Sequence, residues 1–89
     1  MTENEEVSGA EIFRYSRGDD VRVYRLRIVA GGTELWRITE RPGQPDSVIK
    51  EEDFKSADVA ARYFAEVERT LTAGGWRLVS RFTLSPRER

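Results

Sequence analysis

Phe54 to Trp76 reads FKSADVAARYFAEVERTLTAGGW, and this stretch decides the fold. Ser56 is placed to cap a helix, because its hydroxyl can accept a hydrogen bond from a first-turn amide that has no partner within the helix. Asp58 in that turn complements the positive end of the helix dipole. Ala57, Ala60, Phe64, Val67 and Leu71 then recur at the 3.6-residue period, with Tyr63 beside them, so the helix has one apolar face to bury. Gly74-Gly75 supplies the left-handed residue that ends many helices, and Trp76 opens an alternating run, WRLVSRF. An amphipathic helix flanked by strand-like sequence predicts an α+β domain with the helix lying on a sheet.

The strands are read outward from the helix. Glu11 to Arg17 (EIFRYSR) alternates Phe13 and Tyr15 against Arg14 and Ser16, the pattern of a short half-buried strand. Arg17-Gly18-Asp19-Asp20 supplies turn residues. From Val21 to Ala30, Tyr24, Leu26, Ile28 and Ala30 share one face, and Val23, Arg25, Arg27 and Val29 the other, with room for a bulge near Val21 to Val23. Gly31-Gly32 is a hairpin signal, and Thr33 to Arg41 follows, with Trp36 and Ile38 expected inward, opposite Leu35, Arg37 and Thr39. Arg41 to Asp46 (RPGQPD) reads as a loop, since proline donates nothing to a strand ladder. Ser47 to Lys50 reads as a short fourth strand or an irregular return, and Glu51-Glu52-Asp53 as solvated. After the helix, Trp76 to Phe82 forms a last strand, with Trp76, Leu78 and Phe82 inward and Arg77 and Arg81 outward.

The expected architecture is therefore α+β: an antiparallel β-meander of three to five strands with one α-helix packed on one face, in the order β-β-β-α-β. Residues 11–83 make the single domain, between a disordered acidic segment at 1–10 and a flexible C-terminal segment at 84–89. Its expected core collects Phe13, Tyr15, Tyr24, Leu26, Ile28, Trp36, Ile38, Phe64, Val67, Leu71, Trp76 and Leu78.

A chain of 89 residues supports one domain with a small core, burying about 60–65% of the surface its unfolded form exposes. It has no cysteine and no histidine, which removes disulfides, a thiolate nucleophile, the usual zinc ligands and the usual neutral-pH proton shuttle. The acidic start, MTENEEVSGAE, has no apolar run of the kind found in secretion signals or membrane anchors, so a cytoplasmic protein is expected. The net charge of −1 hides segregation: residues 1–11 carry −4, residues 12–45 +3, residues 46–68 −4 and residues 69–89 +4. Thirteen of the fifteen basic residues are arginine, whose planar fork suits phosphate and carboxylate; high-GC coding produces the same bias.

The solvent face of the sheet is expected to gather Arg14, Arg25, Arg27, Arg37, Arg77 and Arg81. Like charges on adjacent strands lie about 5 Å apart and repel unless anions or carboxylates intervene. Either Glu34, Glu40 and the acidic segment neutralise them, leaving an ordinary solvated face, or the face binds an anion. No catalytic constellation is legible. Ser47 and Ser80 lack a histidine, nothing marks Lys50 or Lys55 as a nucleophile, and three consecutive acids at 51–53 do not converge on one metal ion in an extended chain. No phosphate-loop or dinucleotide glycine pattern is present, so neither cofactor nor metal is expected.

Several of these residues recur in a known pattern. Phe54, Ser56, the helix alanines, Phe64 and Gly75-Trp76 resemble the helix segment of WGR domains; Trp36-Arg37-Ile38-Thr39-Glu40-Arg41-Pro42-Gly43-Gln44 resembles that family's tryptophan-glycine-arginine stretch and its closing glycine-glutamine; Val23-Tyr24-Arg25-Leu26 resembles its preceding strand. The resemblance spans about residues 21–79, with Arg37 and Ile38 standing where the motif has glycine and arginine. It implies a small sheet-plus-helix module of a kind that poly(ADP-ribose) polymerases use at DNA ends and domain contacts. The expectation is a non-catalytic module binding DNA or RNA phosphates through Arg25, Arg27, Arg37, Arg41 and Arg77, with Trp36 or Tyr24 beside a sugar or base and Gln44 carried over from the motif. The alternative is a protein-interaction adaptor or homodimeric regulator that does not bind nucleic acid. Neither involves a membrane.

Overall fold

A computed structural model of the chain describes residues 9–81, without the side chain of Ala57. The readings of the acidic N-terminal segment up to residue 8, of Phe82 and of the C-terminal segment lie outside the described residues. Five strands and one helix follow in the order β1 (Ala10–Arg17), β2 (Asp20–Val29), β3 (Gly32–Glu40), β4 (Ser47–Phe54), α1 (Ala57–Ala73) and β5 (Arg77–Arg81). They form one antiparallel sheet ordered β4-β3-β2-β1-β5. Strands β1 to β4 are a meander, and α1 carries the chain from the β4 edge across one face to the opposite edge, where β5 pairs with β1.

The helix boundaries have local causes. Ser56 Oγ accepts from the Val59 amide at 3.4 Å. At the other end, the Trp76 amide donates to the Leu71 carbonyl and the Gly75 amide to that of Thr72, the paired bonds of a Schellman stop, with Gly75 in the left-handed region at φ 89°. Leu71 and Trp76, held together by the stop, both enter the core.

That core consists of Ile12, Phe13, Tyr15, Tyr24, Leu26, Leu35, Ala60, Leu71 and Trp76, with Phe54, Tyr63, Phe64 and Val67 packed against it. Phe13 is its centre, with its ring 4.9 Å from Tyr24 and edge-on to Tyr15 and Phe64. Ile12 joins Phe13 on the inside because a bulge interrupts the β1–β2 register between Glu11 and Phe13, so two consecutive side chains turn inward.

Four expected core positions are different. Ile28 shares the face of Leu26 but sits at the hairpin end of the sheet, outside the core cluster, and is 79% exposed. Leu78 lies on the short edge strand β5 and is 46% exposed. Trp36 and Ile38 point to the opposite face: β2 pairs with β3 as Leu26↔Leu35, Tyr24↔Arg37 and Val23↔Ile38, so the inward set of β3 is Thr33, Leu35, Arg37 and Thr39. The turn itself is Ala30-Gly31 rather than Gly31-Gly32, because Gly32 already pairs with Val29. Gly32 is required for a different reason: a Cβ there would lie 2.4 Å from the Phe54 carbonyl oxygen of β4.

Strand β4 runs through Glu51, Glu52 and Asp53 to Phe54 instead of ending at Lys50. It is an edge strand held by backbone pairing to β3, and its charges discourage further strand addition. No helix among the described residues is long and apolar enough to cross a membrane.

Candidate functional site

The helix covers one side of the sheet, and cross-strand register fixes what the other side presents. Partners across an antiparallel pair point to the same face. The pairings Arg14↔Val23↔Ile38↔Val48 and Arg25↔Trp36↔Lys50 therefore make two adjacent rows on the open face, and Arg27↔Glu34↔Asp53 a third. Arg77, opposite Ser16, lies on this face at its β5 edge.

Register thus unites Arg25, Arg27 and Trp36 of the expected site and adds Lys50, whose place beside Trp36 depends on a strand β4 that the sequence shows only weakly. It separates the others. Arg37 lies on the helix face, 3.3 Å from Glu51, because every position of β3 is inverted relative to the sequence expectation. Arg81 likewise lies on the helix side, where it and the Tyr15 hydroxyl both bond Glu68 Oε2. Arg41 sits just past the end of β3, 3.5 Å from Asp20, and Gln44 lies in the β3–β4 loop, its amide donating to the Arg41 carbonyl. Four residue steps along the strand, about 13 Å, separate Trp36 from Glu40, so Arg41 and Gln44 form no cluster with it.

The open face is not the bare cationic surface that arginine alternation suggests. Glu34 accepts from the Trp36 indole Nε1 at 2.9 Å and stands 3.8 Å from both Arg27 and Lys50. Lys50 also reaches Asp53 at 3.2 Å. Arg14 makes a two-pronged contact with Glu11, both bonds 3.1 Å, and approaches Glu40, which raises its pKa. Arg25 donates to the Gly9 carbonyl at 2.7 Å and has no carboxylate within ion-pair distance among the described residues. Among the described residues, five cations (Arg14, Arg25, Arg27, Lys50 and Arg77) thus share the face with four acids (Glu11, Glu34, Glu40 and Asp53). Each exposed pair is worth no more than about 1 kcal/mol, so all are exchangeable, but together they leave only a small positive excess.

Between the charges lies an apolar strip. Val23 is buried beneath its neighbours, Ile38 is half-buried and Val48 is 45% exposed, and Trp36 stands in the next row. The acids of β4 are divided between the two faces, Glu51 to Arg37 and Asp53 to Lys50, and among the described residues no group of three acidic side chains converges to hold a metal ion. No protein-family model, no curated protein and no solved structure matches this chain.

Proposed function

We propose that this chain is a small non-catalytic binding module that docks a protein partner on its open sheet face. The observation that carries this reading is the Val23–Ile38–Val48 strip beside Trp36, set among cations of which Arg14, Arg27 and Lys50 have acidic partners and Arg25 a carbonyl. An apolar centre with a mixed-charge rim suits a protein surface, and tryptophan and arginine are the usual anchors of such contacts. A polyanion would instead meet Glu34 in the middle of the cationic group. The test is a photo-crosslinking phenylalanine in place of Val48, used in the cell of origin. Discrete protein adducts that Trp36→Ala abolishes, and that the same crosslinker at Arg62 on the helix does not form, support the reading; adducts indifferent to position or to Trp36 refute it.

One feature favours single-stranded nucleic acid as a second reading. Trp36 stands between Arg25 and Lys50 on neighbouring strands, and a half-exposed aromatic flanked by cations on an open sheet can stack a base, worth about 1–3 kcal/mol. The resemblance to WGR domains enters here through Trp36. Contacts from Arg25, Arg27 and Lys50 would give a plot of log affinity against log salt a slope of about −2. Titration of a labelled sample with single-stranded DNA and RNA at low salt decides it: shifts at Arg25, Trp36 and Lys50 with that slope establish this reading, and their absence removes it.

A further inference from the structure

A cleft of about 180 Å³ opens between α1 and the sheet, on the face opposite the proposed docking surface. Its floor is Arg22, Tyr24 and Arg37, and its helix wall Tyr63, Val67 and Thr70. Three buried side-chain atoms without a hydrogen-bond partner among the described residues, Arg22 Nε, Arg37 Nε and Glu51 Oε1, all belong to residues lining this one cavity. Glu51 Oε1 lies 3.3 Å from Arg37 Nη1, an ion pair without hydrogen-bond geometry. Buried donors left unpaired carry a desolvation penalty that a ligand could relieve.

Charge bookkeeping narrows the ligand. Glu51 offsets Arg37, and Glu66 on the rim is tied to Arg69 at 2.7 Å. Arg22 has no carboxylate within ion-pair distance among the described residues; its guanidinium carbon stands over the Trp76 ring, 4.4 Å from its centre, as that of Arg17 does at 4.5 Å. Of the two, only Arg22 lines the cleft; Arg17 is exposed and donates to the Gly74 carbonyl. Burial raises the pKa values of Tyr24 and Tyr63, so both phenols remain neutral at ordinary pH. Beside these polar groups the cleft offers the Tyr63 ring, Val67 and Leu71 as apolar wall, and its volume is of the order that holds one benzene-sized ring.

We infer that this cleft binds a small organic monocarboxylate of about benzoate size, its carboxylate on Arg22 and Arg37 and its body against Tyr63 and Val67. One arginine without a carboxylate partner among the described residues, in a cleft that two glutamates also line, suits a monoanion better than a phosphate dianion.

The probe is benzoate, titrated into the full chain and followed by Arg Nε and backbone NMR signals, with benzamide and inorganic phosphate in parallel. Saturable benzoate shifts at Arg22, Arg37, Tyr24 and Tyr63 are expected, with benzamide and phosphate at least tenfold weaker. Arg22→Gln should weaken benzoate about tenfold or more. Because Arg22 also packs on Trp76, Thr70→Trp provides a second variant, filling the cleft from its exposed rim and abolishing the shifts while Arg22 stays in place. The inference is overturned if benzoate produces no saturable shift at millimolar concentration. Equal binding of benzamide, preference for phosphate, or indifference to Thr70→Trp in the folded protein also overturns it. The open-face experiments read different residues, so failure of one site leaves the other intact.

Discussion

Leu35→Ala, compared with Ile38→Ala, tests the register on which both surfaces depend. Leu35 is fully buried, paired with Leu26 beneath the helix, whereas Ile38 lies half-buried on the open face. Truncating Leu35 removes three carbons at about 0.8 kcal/mol each, and the cavity left behind brings the loss to about 3 kcal/mol. Ile38→Ala removes as many carbons from a site that water already reaches, for about 1 kcal/mol. Against a stability of about 4–11 kcal/mol for a domain of this size, the first is severe and the second mild. The corresponding falls in Tm are about 12–24 °C and about 4–8 °C. Urea denaturation followed by circular dichroism reads both, with the m-value confirming that the unfolding transition is comparable. If Ile38→Ala costs as much as Leu35→Ala at unchanged m, β3 has the opposite register, and Trp36 belongs to the core.

Other expectations follow from single contacts. The Tyr15 hydroxyl is pushed up to about 12 by burial and by its 2.8 Å bond to Glu68, so its folded pKa lies above the unfolded value of about 10. Its stabilisation is complete below pH of about 10 and is lost as pH rises to about 12; thermal unfolding across that range should show the fall, and Tyr15→Phe should flatten it. Gly31→Asn, at φ 88° in open space, should cost less than about 1 kcal/mol, whereas Gly32→Ala drives a Cβ into the Phe54 carbonyl and should cost about 2–3 kcal/mol, with faster hydrogen exchange along β3 and β4. Ser56→Ala should cost about 0.5–1 kcal/mol in a thermal melt, at the low end for a cap because the bond to Val59 is long at 3.4 Å.

The helix, its serine cap and its glycine stop were legible because each rests on local chemistry within a few residues. So were Tyr24 and Leu26 of β2, which alternate with two arginines, though not the exposure of Ile28 at the hairpin end. The facing of β3 was misread because Trp36 and Ile38 outweigh Leu35 in apolar volume. The correct signal was hairpin arithmetic. A two-residue turn pairs even-numbered residues of β2 with odd-numbered residues of β3, whether it falls at Ala30-Gly31 or Gly31-Gly32, so an inward Leu26 compels an inward Leu35. Ile12 was hidden because a bulge breaks alternation without a distinctive residue to announce it. The latter half of β4 was hidden because an edge strand held by its backbone accepts charged side chains, and Glu51-Glu52-Asp53 carries no strand signature.

That one parity governs the chemistry of both faces. It brings Trp36 out beside Arg25 and Lys50, and it takes Arg37 from the open face into the cleft with Arg22 and Glu51. A cationic face containing Arg37 alongside Arg25 and Arg27 would require Leu35 to be exposed and Trp36 buried, since neighbouring residues of a strand cannot point the same way without a bulge, and β2 and β3 pair without one from Val21 to Val29. The two sites are therefore not independent readings of an arginine-rich chain. The Leu35 and Ile38 measurements determine which arginines can act together, and so whether this sheet presents a mosaic suited to a protein or a concentration of charge suited to phosphate.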